Sequence, residues 1–192
     1  MNFAIEDCNL KVIRDFWGGR ATLACGMTYR QLLETPPQEF LERPELLDWL
    51  LPVDFPASKT NGGPPSITAA QAATLWTDSE VSICCKTIFL HWMDINGFAH
   101  DSEGWVYTNR HAYGAAYELH RQLLDKPERI ARALRMLVWS GLKGWESHEP
   151  DRAPTSFALG LYSWGINHWT PKHNKRTSPP PEWDAALETS LR

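Results

Sequence analysis

No apolar run in this chain of 192 residues approaches the roughly eighteen needed to cross a membrane, and no basic-then-apolar leader opens it. The four cysteines, at positions 8, 25, 84 and 85, contain no C-x-x-C spacing, which excludes a paired-cysteine zinc knuckle and a disulfide framework. Free thiols fit a reducing compartment, so the expected setting is cytoplasmic. There is no glycine-rich phosphate loop, no G-x-S-x-G elbow and no internal repeat. Ser140-Gly141-Leu142-Lys143 fits S-x-x-K, but its serine falls at the end of an expected helix rather than opening one, which removes the acyl-transfer reading. Charge imbalance is small as well. The net charge is −4, with 7 Lys+Arg against 14 Asp+Glu over residues 1–106 and 12 against 9 over 107–192. That gradient suits two complementary halves and is far from the basic character of a dedicated nucleic-acid binder.

What the chain does have is indole. Ten tryptophans stand in a composition that is 43% hydrophobic and 22% charged, ordinary for a globular domain in every other respect. Large flat side chains of this kind fill cores, and they also build ligand-stacking or partner surfaces.

Helical punctuation is legible along most of the sequence. Residues 28–33 (TYRQLL) and the stretch from Pro36 to Glu42 read as short helices. Between Pro44 and Pro52, apolar residues at 46, 47, 49, 50 and 51 leave a stub that is apolar on nearly every face and so belongs inside. Four prolines and two glycines make 52–66 an irregular connection. Thr68 with Gln71 forms a capping box for TAAQAATLW, and Thr77 with Glu80 is expected to cap the strongest helix, DSEVSICCKTIFLHWMDI, closed by Asn96-Gly97. Its positions 81, 85, 88, 92 and 95 form one buried stripe. A further helix is expected from near Thr108, presenting Ala112, Ala116, Leu119 and Leu123. The next is capped by Asp125 and Glu128 around Pro127, with Ile130, Leu134, Leu137 and Val138 on its apolar face up to Gly141. SFALGLYSWGI is the last clear helix, and no β-hairpin signal is evident. The expected fold is all-α: one compact domain of seven to eight short-to-medium helices in an irregular orthogonal bundle over 1–170. A Pro/Lys-rich tail, 171–192, follows, with PEWDAALETSL as a short terminal helix.

Two stretches resemble the conserved domain of the opioid growth factor receptor family. Where that family carries Tyr-Ile-Gln-Trp-Leu-Phe-Pro-Leu, this chain has Leu46-Leu47-Asp48-Trp49-Leu50-Leu51-Pro52-Val53, with Trp49, Leu50 and Pro52 matching. Where it carries Leu-Arg-Ile-Thr-Arg-Ile-Leu-Arg-Ser-Leu, Glu128 to Leu137 align without a gap, matching at Arg129, Ile130, Arg132, Leu134, Arg135 and Leu137. The resemblance runs from about Lys11 to Trp169, but the family's His-Asn segment is replaced by Asp125-Lys126-Pro127. It implies a small helical binding module. Vertebrate members are described as binding an enkephalin peptide, a specificity that does not carry over, since similar domains stand alone in microbes.

Three constellations are candidates for function. Arg129, Arg132 and Arg135 recur every three residues and spread guanidinia over one arc of a helix, suited to carboxylate or phosphate on a partner; the plain alternative is a solvated or internally paired face. Trp49, Trp92 and Trp139 are the indoles of a binding groove or cavity, with core packing as the alternative. His91 and Asp94, at i and i+3, are an acid–base pair for an enzyme, the polar groups of an apolar ligand cavity, or two metal ligands for which His100 or His111 would have to fold back as the third; a hydrogen-bonded edge histidine is the alternative. The leading expectation is a non-enzymatic module that holds a peptide or protein, without cofactor or metal. The second is a small cofactor-free enzyme, of cyclase type for example, or a small-molecule binder with an indole-lined cavity.

Overall fold

The computed structural model describes residues 3–51, 64–65, 67–100, 106–108, 114–123, 125–139, 160–167 and 180–188, and over these the fold is all-α, with ten helices and one short pair of strands. The chain forms two compact units, Met1–Ile95 and Asn96–Arg192.

In the first unit, α1 (Phe3–Trp17) runs into Gly18-Gly19, where Gly19 takes φ +69°, a left-handed conformation that costs glycine nothing. This helix precedes the first expected one. It buries Ile13, Phe16 and Trp17. Then α2 (Tyr29–Glu34) opens on a reciprocal cap: Thr28 Oγ1 accepts from the Gln31 N–H while Gln31 Oε1 accepts from the Thr28 N–H. Next come α3 (Pro37–Glu42) and α4 (Glu45–Leu50), which is the stub expected between the two prolines. Leu46 through Leu51 are all buried, Leu50 completely. The Pro-rich connection lies almost entirely outside the described residues. Thr68 and Gln71 form the expected box at the start of α5 (Ala69–Trp76).

The start of α6 (Ser79–Ile95) differs from expectation. Asp78, not Thr77, caps it: Asp78 Oδ1 accepts from the N–H groups of Glu80 and Val81 at 3.1 and 3.3 Å, while the Thr77 hydroxyl donates back to the Thr74 carbonyl. Two good capping residues stand side by side, and the helix starts one residue later than the Thr-x-x-Glu pattern suggests. The stripe itself is as expected. Val81, Cys85, Ile88, Trp92 and Ile95 are each at most 2% exposed, and α6 packs against α1, α4 and α5 as the axis of the unit.

The second unit opens with Asn96-Gly97, Gly97 at φ +71°, and then departs from the helical expectation. β1 (Phe98–His100) pairs antiparallel with β2 (Val106–Thr108), in register Phe98↔Thr108, Ala99↔Tyr107 and His100↔Val106. Thr108 therefore ends a strand, and α7 (Ala115–Leu123) begins seven residues later. Val106, Tyr107 and Thr108 are all strand-favouring types, but three residues are too few for an alternating pattern to register. α7 buries Leu119 and Leu123 as expected, whereas Ala112 lies outside the described residues, as does the side chain of Ala116. α8 (Pro127–Trp139) starts with proline in the first helical position and buries Ile130, Leu134 and Leu137. Residues 160–167 form α9, and α10 (Pro181–Glu188) realises the short terminal helix, packed on α8. Phe98, His120 and Trp164 meet edge to face, with ring centroids 4.7 to 5.0 Å apart. His120 also donates its Nδ1–H to the Asn96 carbonyl at 2.7 Å.

Candidate functional site

His91 and Asp94 share a face of α6 but differ in surroundings. His91 is half-buried, its ring 6.0 Å from that of Phe40 and hydrogen-bonded to the Leu32 backbone, while Asp94 is exposed. Burial lowers the His91 pKa below the ordinary histidine value, and the Asp94 charge and the Leu32 bond only partly oppose it. His91 Nε2 is buried without a hydrogen-bond partner. Among the described residues no group of three His, Cys, Asp or Glu side chains is placed to hold a metal ion.

Two of the three candidate indoles are core side chains of the first unit. Trp49 is 7% exposed and meets Phe16 edge-on at 5.2 Å; Trp92 is 1% exposed and stacks on Phe89 at 6.0 Å. Trp139 closes α8 in the second unit, and its side chain lies outside the described residues. Of the arginines on α8, Arg129 and Arg132 are 9% and 4% exposed and Arg135 is half-buried, so this helix turns two guanidinia inward. Arginine tolerates such placement because its guanidinium is weakly hydrated and its long stem is apolar.

Two recesses are lined by described residues of the first unit. The smaller, about 390 Å³, is polar and includes Cys25, Gln31, Glu34, Glu39 and Arg43. Cys25 is exposed; partial desolvation works to raise its pKa, but the Met27 backbone and the Arg43 guanidinium hydrogen-bond its sulfur and leave it below the ordinary thiol value.

The larger is an apolar groove of about 720 Å³ built where the end of α1, the start of α2 and the first half of α6 meet. Trp17, Tyr29, Leu33, Ile83 and Cys84 supply its apolar lining, and Thr28, Arg30, Glu80 and Thr87 supply polar groups. Each is placed by a local feature. Trp17 is the last residue before the Gly18-Gly19 turn, Tyr29 and Arg30 follow the Thr28 cap, and Ile83 lies on the side of α6 away from the buried stripe. Tyr29 is fastened by its hydroxyl, which donates to the Cys84 carbonyl at 3.1 Å; burial, above all, raises its pKa and keeps the phenol protonated. Ile83 is 65% exposed and, one turn and two turns on, Thr87 and Leu90 are exposed as well. The sequence holds the signal for this second stripe: Ile83, Thr87 and Leu90 repeat at i, i+4 and i+7. It is overshadowed by the longer buried stripe on the same helix.

No protein-family model matches the chain, and no curated protein or solved structure matches it.

Proposed function

We propose that this chain is a non-enzymatic binding module, related to the opioid growth factor receptor conserved domain, that holds a peptide or protein partner. One observation supports this reading: an open apolar groove whose wall includes an isoleucine left 65% exposed. A large aliphatic side chain on an outward helix face gains nothing by facing water, whereas a partner segment seated over Ile83 and Leu33 would bury it. The volume of about 720 Å³ suits a few side chains of a peptide rather than a broad flat interface. The enzyme reading has less behind it, since His91 is engaged with the Leu32 backbone and Asp94 faces solvent. Trp49 and Trp92, as core side chains, hold α4 and α6 in place and act on the groove only through the fold. In the arginine series Arg135 is the most open member, and we keep it as a secondary contact.

The test is affinity selection. Immobilised protein is exposed to a pool of random heptapeptides, acetylated and amidated to remove terminal charge, and retained peptides are identified by mass spectrometry. Wild type retaining peptides that Ile83→Asp does not retain supports the module. Equal retention by both forms, or none, overturns it.

A further inference from the structure

Two residues that line the groove carry polar groups without a protein partner among the described residues. The first is the indole N–H of Trp17. This side chain is a wall of the groove and only 2% exposed, and its Nε1 is buried without a hydrogen-bond partner. A buried donor left unmade is costly, and such exceptions in a folded protein call for an explanation. The second is Arg30, an exposed guanidinium on the groove that forms no ion pair among the described residues. Arg20, Arg43 and Arg121, and Lys11, are each paired with a carboxylate. Both groups are donors with no acceptor function, so both ask for oxygen from the occupant. Glu80 lies on the same groove and is not paired with Arg30, which disfavours an occupant with several negative charges.

From this we propose that the groove recognises a peptide segment in which a large apolar residue stands beside a single acidic side chain. The apolar residue packs between Tyr29, Leu33 and Ile83, the Asp or Glu carboxylate pairs with Arg30, and a backbone carbonyl of the segment accepts the Trp17 N–H after a small turn of the indole. Every peptide residue brings a carbonyl, so the Trp17 contact adds affinity without selecting sequence. Arg30, by contrast, selects, because a guanidinium holds a carboxylate in forked geometry and rejects a cation. This inference rests on the binding-module reading and names the partner for the same groove.

The experiment extends the selection to charge variants. With acetylated, amidated heptapeptides, the set retained by wild type is expected to be enriched in Asp or Glu within two positions of Leu, Ile, Met or Phe. A retained peptide should weaken roughly tenfold when its acid is changed to the amide. Arg30 is exposed, so Arg30→Gln should fold normally and lose the acidic preference, and Arg30→Glu should shift it to Lys or Arg. With ¹⁵N-labelled tryptophan, the indole resonance missing from Trp17→Phe should move downfield on adding a retained peptide. Acidic preference that survives Arg30→Gln, or retained peptides without acidic enrichment, overturns the inference while leaving the module reading in place. Failure of wild type to retain peptides beyond Ile83→Asp removes both.

Discussion

The Trp183 indole N–H donates to the Pro127 carbonyl at 2.8 Å, joining α10 to the first turn of α8 across 56 residues of sequence. A backbone carbonyl has two lone pairs, so a first-turn carbonyl of α8 can accept this indole from the terminal helix in addition to a helical N–H. Trp183 is fully buried and its ring lies against Gly165 of α9, where a Cβ would stand 2.7 Å from Cζ3 and 2.9 Å from Cη2. Tyr162 donates its hydroxyl to Asp184 on the same helix pair.

Gly165→Ala is therefore expected to destabilise the chain by about 1–3 kcal/mol, because a rigid indole cannot yield to a new methyl group at that distance. Urea denaturation followed by circular dichroism checks it. A midpoint equal to wild type would mean that α10 does not sit on α9 through Trp183.

Trp49→Ala should cost about 3–5 kcal/mol, the range for emptying a large aromatic site in a core. The more informative readout is retention of peptides by the fraction that remains folded, which should be close to wild type. Lost binding in a folded Trp49→Ala would return that indole to the site.

The two threonine and aspartate positions before α6 should separate cleanly. Asp78→Ala removes the acceptor for two helix N–H groups and is expected to cost about 1 kcal/mol, with Thr77→Ala costing less. Thermal melts of the two variants side by side decide between Asp78 and Thr77 as the cap.

For His91 the sign follows from burial. Its folded pKa lies below the ordinary value of about 6.5, so the unfolded chain binds the proton more readily. The stability that neutral His91 contributes is complete above about pH 6.5 and is lost as pH falls below it. Urea midpoints measured at about pH 7.5 and about pH 5 should differ more in wild type than in His91→Gln, where nothing at that position titrates.

Cysteine alkylation should rank by environment. Cys25, exposed and held low by Met27 and Arg43 despite some desolvation, should react first with iodoacetamide and retain its reactivity to lower pH than a free thiol. Cys85, whose pKa burial drives well up, should react only on unfolding. Arg43→Gln should slow Cys25 at neutral pH. Peptide mapping by mass spectrometry gives both rates.

What the sequence determined by itself is whatever depends on neighbours within about one helical turn. The capping box at Thr68 and Gln71, the buried stripe of α6 from Val81 to Ile95, the buried α4 stub with Trp49 inside and the terminal helix at Pro181 are all readable from spacing, because caps and amphipathic faces repeat over three or four residues. Even there the Thr77–Glu80 spacing points to the wrong cap, since Asp78 beside it also caps well and the helix starts one residue later. Only the tertiary structure decided which polar and apolar groups meet. The pairing of Phe98 with Thr108 rests on three-residue strands with no period to read. The inward placement of Arg129 and Arg132 runs against what a three-residue arginine spacing suggests. The groove joins Trp17, Tyr29, Arg30 and Ile83 from three helices up to 66 positions apart, and its character comes from an indole N–H and a guanidinium left unmatched. No local pattern encodes an unmatched donor, because its meaning lies in what the packed neighbours fail to supply.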